Sequence, residues 1–123
     1  MKEIKLTDSE EVIMEILWEK ENVFMKEILE SYPEPKPAST TVATLLKRMQ
    51  NKDLVGYKLF GNSREYFPKI KKSDYFKEEM TFMIDRFFNS SVTQFASFFT
   101  TNTQLSQKQL KELREIIDKE IKE

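Results

Sequence analysis

Ser39-Thr40-Thr41-Val42-Ala43-Thr44-Leu45-Leu46-Lys47-Arg48-Met49-Gln50-Asn51 is followed, three residues later, by Val55-Gly56-Tyr57-Lys58-Leu59-Phe60 and then Gly61-Asn62-Ser63. In the first segment Val42, Leu45, Leu46 and Met49 recur at i, i+3, i+4 and i+7, which predicts a helix with one apolar face. Its other face gathers Thr40, Thr41, Thr44, Lys47, Arg48 and Asn51. β-Branched Thr is a mediocre helix former, and Glu or Gln would serve a plain solvated face better. Short hydroxyls early and long cations late suit a helix whose N-terminal half enters a DNA major groove, where Thr approaches base edges or phosphates closely and Arg reaches further.

The second segment alternates Val55, Tyr57 and Leu59 with Gly56, Lys58 and Phe60. Turn residues follow it, and Arg64 to Ile70 reads as a returning strand. This predicts a β-hairpin wing, with Pro68 near a strand end or on an edge because it lacks an amide proton. Lys58 near the hairpin, Arg64 at its tip and Lys69, Lys71 and Lys72 at its exit are placed to meet backbone phosphate beside the groove.

Working back toward the N-terminus, Pro33, Pro35 and Pro37 make a stiff connector that stops a short helix over about Met25 to Ser31, in which Ile28 and Leu29 are buried. Before it, Thr7 and Glu10 form a capping box that opens a first helix, with Val12, Ile13, Ile16 and Leu17 on the inner face. Three short helices followed by a hairpin predict an N-terminal winged helix-turn-helix over residues 1–72. The fold class is mainly α with a small β-hairpin.

Beyond the hairpin, Ser73 is placed to cap a fourth helix in which Phe76, Met80, Met83 and Phe87 share a face. Asn89-Ser90-Ser91 interrupts it, and Val92, Phe95, Ala96 and Phe99 form a further short apolar face. Ser106 with Gln109 is a second capping box, flanked by Leu105 and Leu110 at the hydrophobic-staple positions. Leu110, Leu113, Ile117 and Ile121 line the last helix. Residues 73–123 are too few to bury these faces among themselves, so they are expected to form a helical dimerisation domain whose core is completed by a second copy. Ligand binding in that aromatic core is the minor alternative.

Composition narrows the chemistry. The chain has 123 residues, no Cys and no His, which removes thiol nucleophiles, imidazole bases and the usual transition-metal ligands. Gly56 and Gly61 are the only glycines, so no glycine-rich loop can cradle a phosphate. No catalytic residues, metal or cofactor are expected. No apolar run approaches the length of a membrane span, and a cytoplasmic protein is expected. The overall charge of −1 hides a sorted distribution. Residues 1–35 carry −6 and residues 73–123 carry −2, whereas residues 36–72 carry +7, from nine Lys and Arg against Asp53 and Glu65. One localised polyanion-binding face is implied.

Three stretches resemble one known family, the penicillinase and methicillin-resistance repressors (the BlaI/MecI type). They are Leu6-Thr7-Asp8-Ser9-Glu10-Glu11-Val12-Ile13-Met14-Glu15-Ile16-Leu17-Trp18; Thr41-Val42-Ala43-Thr44-Leu45-Leu46-Lys47-Arg48-Met49 with Lys52 and Leu54; and Leu105-Ser106 through Leu113. The resemblance implies a homodimeric transcriptional repressor with two winged heads on a helical C-terminal domain, occupying a palindromic double-stranded operator. By it Thr40, Thr41, Thr44 and Arg48 are the expected DNA contacts. It also implies release by a membrane sensor-protease pathway that leads to cleavage in the dimerisation region, and Phe98-Phe99 falls at the corresponding place, with Phe98 where better-known members have Asn. A metal-sensing branch carries C-terminal cysteines, and their absence here argues against a copper response. Ala38 replaces the Ser or Thr often found before the third helix, which leaves Ser39 as the expected cap. The competing expectation is a winged-helix protein-interaction module that binds no DNA.

Overall fold

A computed structural model of the chain describes residues 5–122. Its elements are α1 (Asp8–Lys20), β1 (Val23–Phe24), α2 (Met25–Ser31), α3 (Ser39–Asn51), β2 (Val55–Phe60), β3 (Ser63–Pro68), α4 (Lys72–Phe87), α5 (Val92–Asn102) and α6 (Gln107–Glu120). The chain divides into two compact units, Met1–Glu79 and Met80–Glu123. The division falls inside α4, seven residues beyond the sequence-based boundary at 72.

In the first unit, α1, α2 and α3 pack with a three-stranded antiparallel sheet of order β1-β3-β2. The expected hairpin is β2 and β3, joined through Gly61-Asn62, with Tyr57 opposite Tyr66 and Leu59 opposite Arg64. Gly61 takes the left-handed conformation that a two-residue hairpin loop requires (φ 63°). Gly56 lies opposite Phe67, and a β-carbon there would come within 2.5 Å of the Phe67 ring. The third strand, β1, pairs Val23 with Tyr66 and was not foreseen, because two residues carry no periodicity.

The core is built from Ile13, Met14, Leu17, Val23, Ile28, Val42, Leu46, Met49 and Val55, all essentially inaccessible, together with Leu54, Tyr66 and Tyr75. The face of α1 differs from expectation. Val12 is 40% exposed, while Met14 and Glu10 are buried. Glu10 can lie inside because it is paired. Its carboxylate accepts the Thr7 amide at 2.9 Å and the Lys52 ammonium at 2.8 Å, so both oxygens are satisfied.

Burial pushes the Glu10 pKa up, but the Lys52 hydrogen bond, the Thr7 amide and the Lys52 charge outweigh it and hold the group below the ordinary value of 4.5. A carboxylate depressed on folding stabilises the native state above its unfolded pKa, and that contribution disappears as pH falls through the lower folded value. Urea midpoints measured at neutral pH and at successively lower values below 4.5 are therefore expected to fall more steeply for the wild-type chain than for Glu10→Gln. Equal slopes would show that Glu10 contributes nothing to acid unfolding.

Two caps also differ from expectation. Ala38 occupies the N-cap of α3 without a side-chain hydrogen bond, and Ser39 is already helical. Likewise α4 starts at Lys72, which puts Ser73 inside the helix. The capping boxes at Thr7/Glu10 and Ser106/Gln109 are both present. After α2, the Lys36 ammonium donates to the carbonyls of Leu29, Glu30 and Tyr32, closing the helix end before the proline connector continues.

The start of α4 is tied to α1. The Trp18 indole donates to the Ile70 carbonyl at 2.9 Å, and its ring lies 5.8 Å from Tyr75 and 6.2 Å from Phe76. The Tyr75 hydroxyl donates to Glu11 at 3.1 Å. Burial, that acceptor and the nearby Glu79 charge push its pKa up to about 12.

The second unit comprises the remainder of α4 with α5 and α6. Helix α4 ends where Asn89 and Ser90 adopt positive φ and the Ser90 amide returns to the Ile84 carbonyl. Among its described residues Ile84 is the one buried hydrophobic side chain. Phe87, Val92, Ile116, Ile117 and Ile121 are all exposed, Phe87 by 68%. Phe88, Phe95, Phe98 and Phe99 form an aromatic cluster whose neighbouring ring centroids lie 5.5–6.1 Å apart, with Phe95 partly covered and Phe98 and Phe99 exposed.

Candidate nucleic-acid interface

Helix α3 separates its residues by face. Val42, Leu46 and Met49 are inaccessible in the core, whereas Thr40, Thr41, Thr44, Lys47, Arg48 and Asn51 are all exposed. Residues 40, 44, 47, 48 and 51 follow helical spacing, so hydroxyls and cations form one continuous strip along the solvent side. The Thr44 hydroxyl donates to the Thr40 carbonyl at 2.9 Å. Its proton is thus engaged locally, leaving the oxygen as an acceptor and the methyl group free for contact.

The cations of the basic segment fall into two groups. Lys36 closes α2, Lys52 is paired with Glu10, Lys69 with Asp53 at 2.8 Å and Lys72 with Glu15 at 3.3 Å. By contrast, the side chains of Lys47, Arg48, Lys58 and Lys71 form no ion pair or side-chain hydrogen bond among the described residues. Arg64 is held differently: its guanidinium lies over the Tyr57 ring, 4.4 Å from the centroid. Cation–π contact leaves the outward N–H groups able to donate. Within the basic segment the unengaged positive charge therefore sits on α3 and the wing, at Lys47, Arg48 and Lys58, with Lys71 just past the wing's exit. The exit lysines Lys69 and Lys72 are instead occupied by surface acids, in pairs weak enough to exchange partners.

Tyr57 was not singled out from sequence as a support for Arg64. The two-residue turn would have revealed it, because a register of 59 opposite 64 puts Arg64 diagonal to Tyr57 on the same sheet face. Glu10 was also missed as the partner of Lys52. Its place in a capping box gave no sign that it would be buried.

The residues assigned to dimerisation lie on α4, α5 and α6. Phe76, Met80, Phe87, Phe99, Ile117 and Ile121 are exposed, and Met83, Phe95, Leu110 and Leu113 are partly covered. Phe98-Phe99 lies within α5. The Phe98 carbonyl accepts from the Asn102 side chain and the Phe99 carbonyl from the Thr103 hydroxyl, so a protease reaches that bond only after local opening of the helix. Among the described residues no group of acidic side chains is arranged to hold a metal ion. Among the described residues no helix is long and apolar enough to cross a membrane.

Three helices, a short third strand and a cationic hairpin, with a hydroxyl-and-cation strip on the third helix, define a winged-helix protein with a helical C-terminal part. The chain belongs to the penicillinase repressor family, whose model matches residues 6–119. It is similar to the penicillinase repressor of Bacillus licheniformis, with 27% identity covering 96% of this chain and 94% of the relative. It is 25% identical to the penicillinase repressor of Staphylococcus aureus, covering 95% and 94% of the two chains. The methicillin resistance regulatory protein MecI of Staphylococcus aureus strain N315 is 24% identical over 96% of this chain and 97% of its own.

Proposed function

We propose that this chain is a transcriptional repressor acting in the cytoplasm, which binds a palindromic double-stranded operator as a homodimer through α3 and the wing. The observation that carries this reading is the two-sided α3: one side is locked in the core, and the other offers Thr40, Thr41, Thr44, Lys47 and Arg48 to solvent without acidic neighbours on that strip. Thr44 and Arg48 are suited to base edges, and Lys58 and Arg64 to phosphates beside the groove. Homodimerisation is supported by the nearly coreless second unit, because a second copy covering α4, α5 and α6 removes apolar surface that a single chain leaves in water. Twofold symmetry then presents identical heads to symmetry-related half-sites. Cleavage at Phe98-Phe99 by a sensor-protease pathway would separate α6 from α4 and weaken the pair.

A gel-shift titration on DNA from the chain's own promoter region tests this. Log affinity is expected to fall linearly with log salt, by about 0.9 per neutralised phosphate. Thr44→Ala or Arg48→Ala is expected to cost about 1–3 kcal/mol of binding and to relax discrimination at one base pair, with little change in thermal stability because both side chains are exposed. Absence of binding at low salt would overturn the reading. The exposed Leu59 and Phe60 at the wing tip favour protein docking as the alternative. In that case exchanging Leu59 and Phe60 for Ser abolishes function, while exchanges among the three Thr do not.

A further inference from the structure

We propose that the Glu10–Lys52 pair is a positioning latch for α3, in which Lys52 sets where the DNA-facing strip lies and does not itself bind DNA; this rests on the repressor reading above. Composition alone would count Lys52 among the phosphate-binding cations, since it follows Arg48 by one helical turn in the basic segment. Its ammonium is instead 2.8 Å from a carboxylate that is 1% exposed, contributed by a residue 42 positions earlier. Lys52 is also the C-cap of α3, with its amide bonded to the Arg48 carbonyl at 3.1 Å. At the other end of the link, Glu10 belongs to the first turn of α1 and holds the Thr7 amide.

Among the described residues, what otherwise joins α1 and α3 is the shared apolar core, to which Ile13, Met14 and Leu17 of α1 and Leu46 and Met49 of α3 belong. Hydrophobic contact is non-directional and resists separation better than it resists sliding or rotation. A charge-assisted hydrogen bond between a buried acceptor and the end of α3 supplies the missing direction. Base contacts require placement to a fraction of an ångström, so an interface built on α3 depends on that restraint.

Glu10→Gln separates the latch from its rivals. Gln keeps the volume and can still accept the Thr7 amide, so the capping box persists while the charge that holds Lys52 is lost. The expected result is a roughly 10-fold loss of affinity for promoter DNA, comparable to one good base contact, with an unchanged slope of log affinity against log salt. Were Lys52 a phosphate ligand restrained by Glu10, freeing it would tighten binding and steepen the slope, and that outcome overturns the proposal. Unchanged affinity overturns it equally. Should Glu10→Gln fail to fold, Lys52→Met and Lys52→Arg decide. Met is expected to lose about 10-fold with the slope preserved and Arg to restore binding, whereas a slope reduced by about 0.9 for Met would make Lys52 a phosphate contact. Failure of the repressor reading appears in the wild-type titration itself; failure of the latch appears only between variants.

Discussion

Ile117→Asp is expected to leave each winged head folded and yet to lower affinity for a two-half-site operator about 100-fold or more, the loss that follows when paired binding modules are uncoupled. Ile117 is 58% exposed on the single chain and lies on the α6 face with Leu110, Leu113 and Ile121. In a symmetric pair, one substitution introduces two carboxylates into an apolar contact, and each must be desolvated or the contact opened. Opening is the lesser penalty, so the chain becomes monomeric. Light scattering after size exclusion reads the mass, and gel shifts on one-half-site and two-half-site duplexes read the coupling. The variant should bind both duplexes alike, with the affinity of wild type for a single half-site. A wild-type chain that runs as a monomer at micromolar concentration, or a variant that stays dimeric, would refute the C-terminal assembly.

The other large effect belongs to Leu46→Ala, expected to destabilise the head by about 2–5 kcal/mol through lost transfer energy and an incompletely collapsed cavity. Leu46 is inaccessible and belongs to the same buried cluster as Ile13, Leu17, Val42 and Met49. A loss of that size is a large fraction of the total stability of a domain this small, about 5–15 kcal/mol. Thr44 is only two residues away on the opposite side of α3. Thr44→Ala removes a poor helix former from an exposed site and should leave the melting temperature nearly unchanged while weakening DNA binding. Denaturant midpoints and gel shifts on the two variants therefore give opposite patterns. If Leu46→Ala melts like wild type, α3 is not seated as described.

Much of this arrangement was legible before any coordinates, because local chemistry specifies it. The extent of α3 follows from its apolar period, and the capping boxes at Thr7/Glu10 and Ser106/Gln109 fix two helix starts through bonds spanning three residues. What escaped depended on distant partners. Glu10 is legible only as half of a capping box, since nothing near it in sequence announces that Lys52 arrives to neutralise it. The same omission put Val12 inside and left out Met14. Strand β1 exists only because Tyr66 and Glu65 of β3 offer it a ladder. Of the interface, the strip on α3 was readable as residue chemistry; the division between engaged and unengaged lysines required knowing which acids lie nearby.

Trp18 is the chain's sole tryptophan, and its indole proton is held by the Ile70 carbonyl just past the wing. The molecule thus contains an intrinsic fluorophore at the join between α1 and the first turn of α4. Its emission maximum will shift to longer wavelength when that join admits water. Head opening can be followed optically without a label and set beside helicity from circular dichroism.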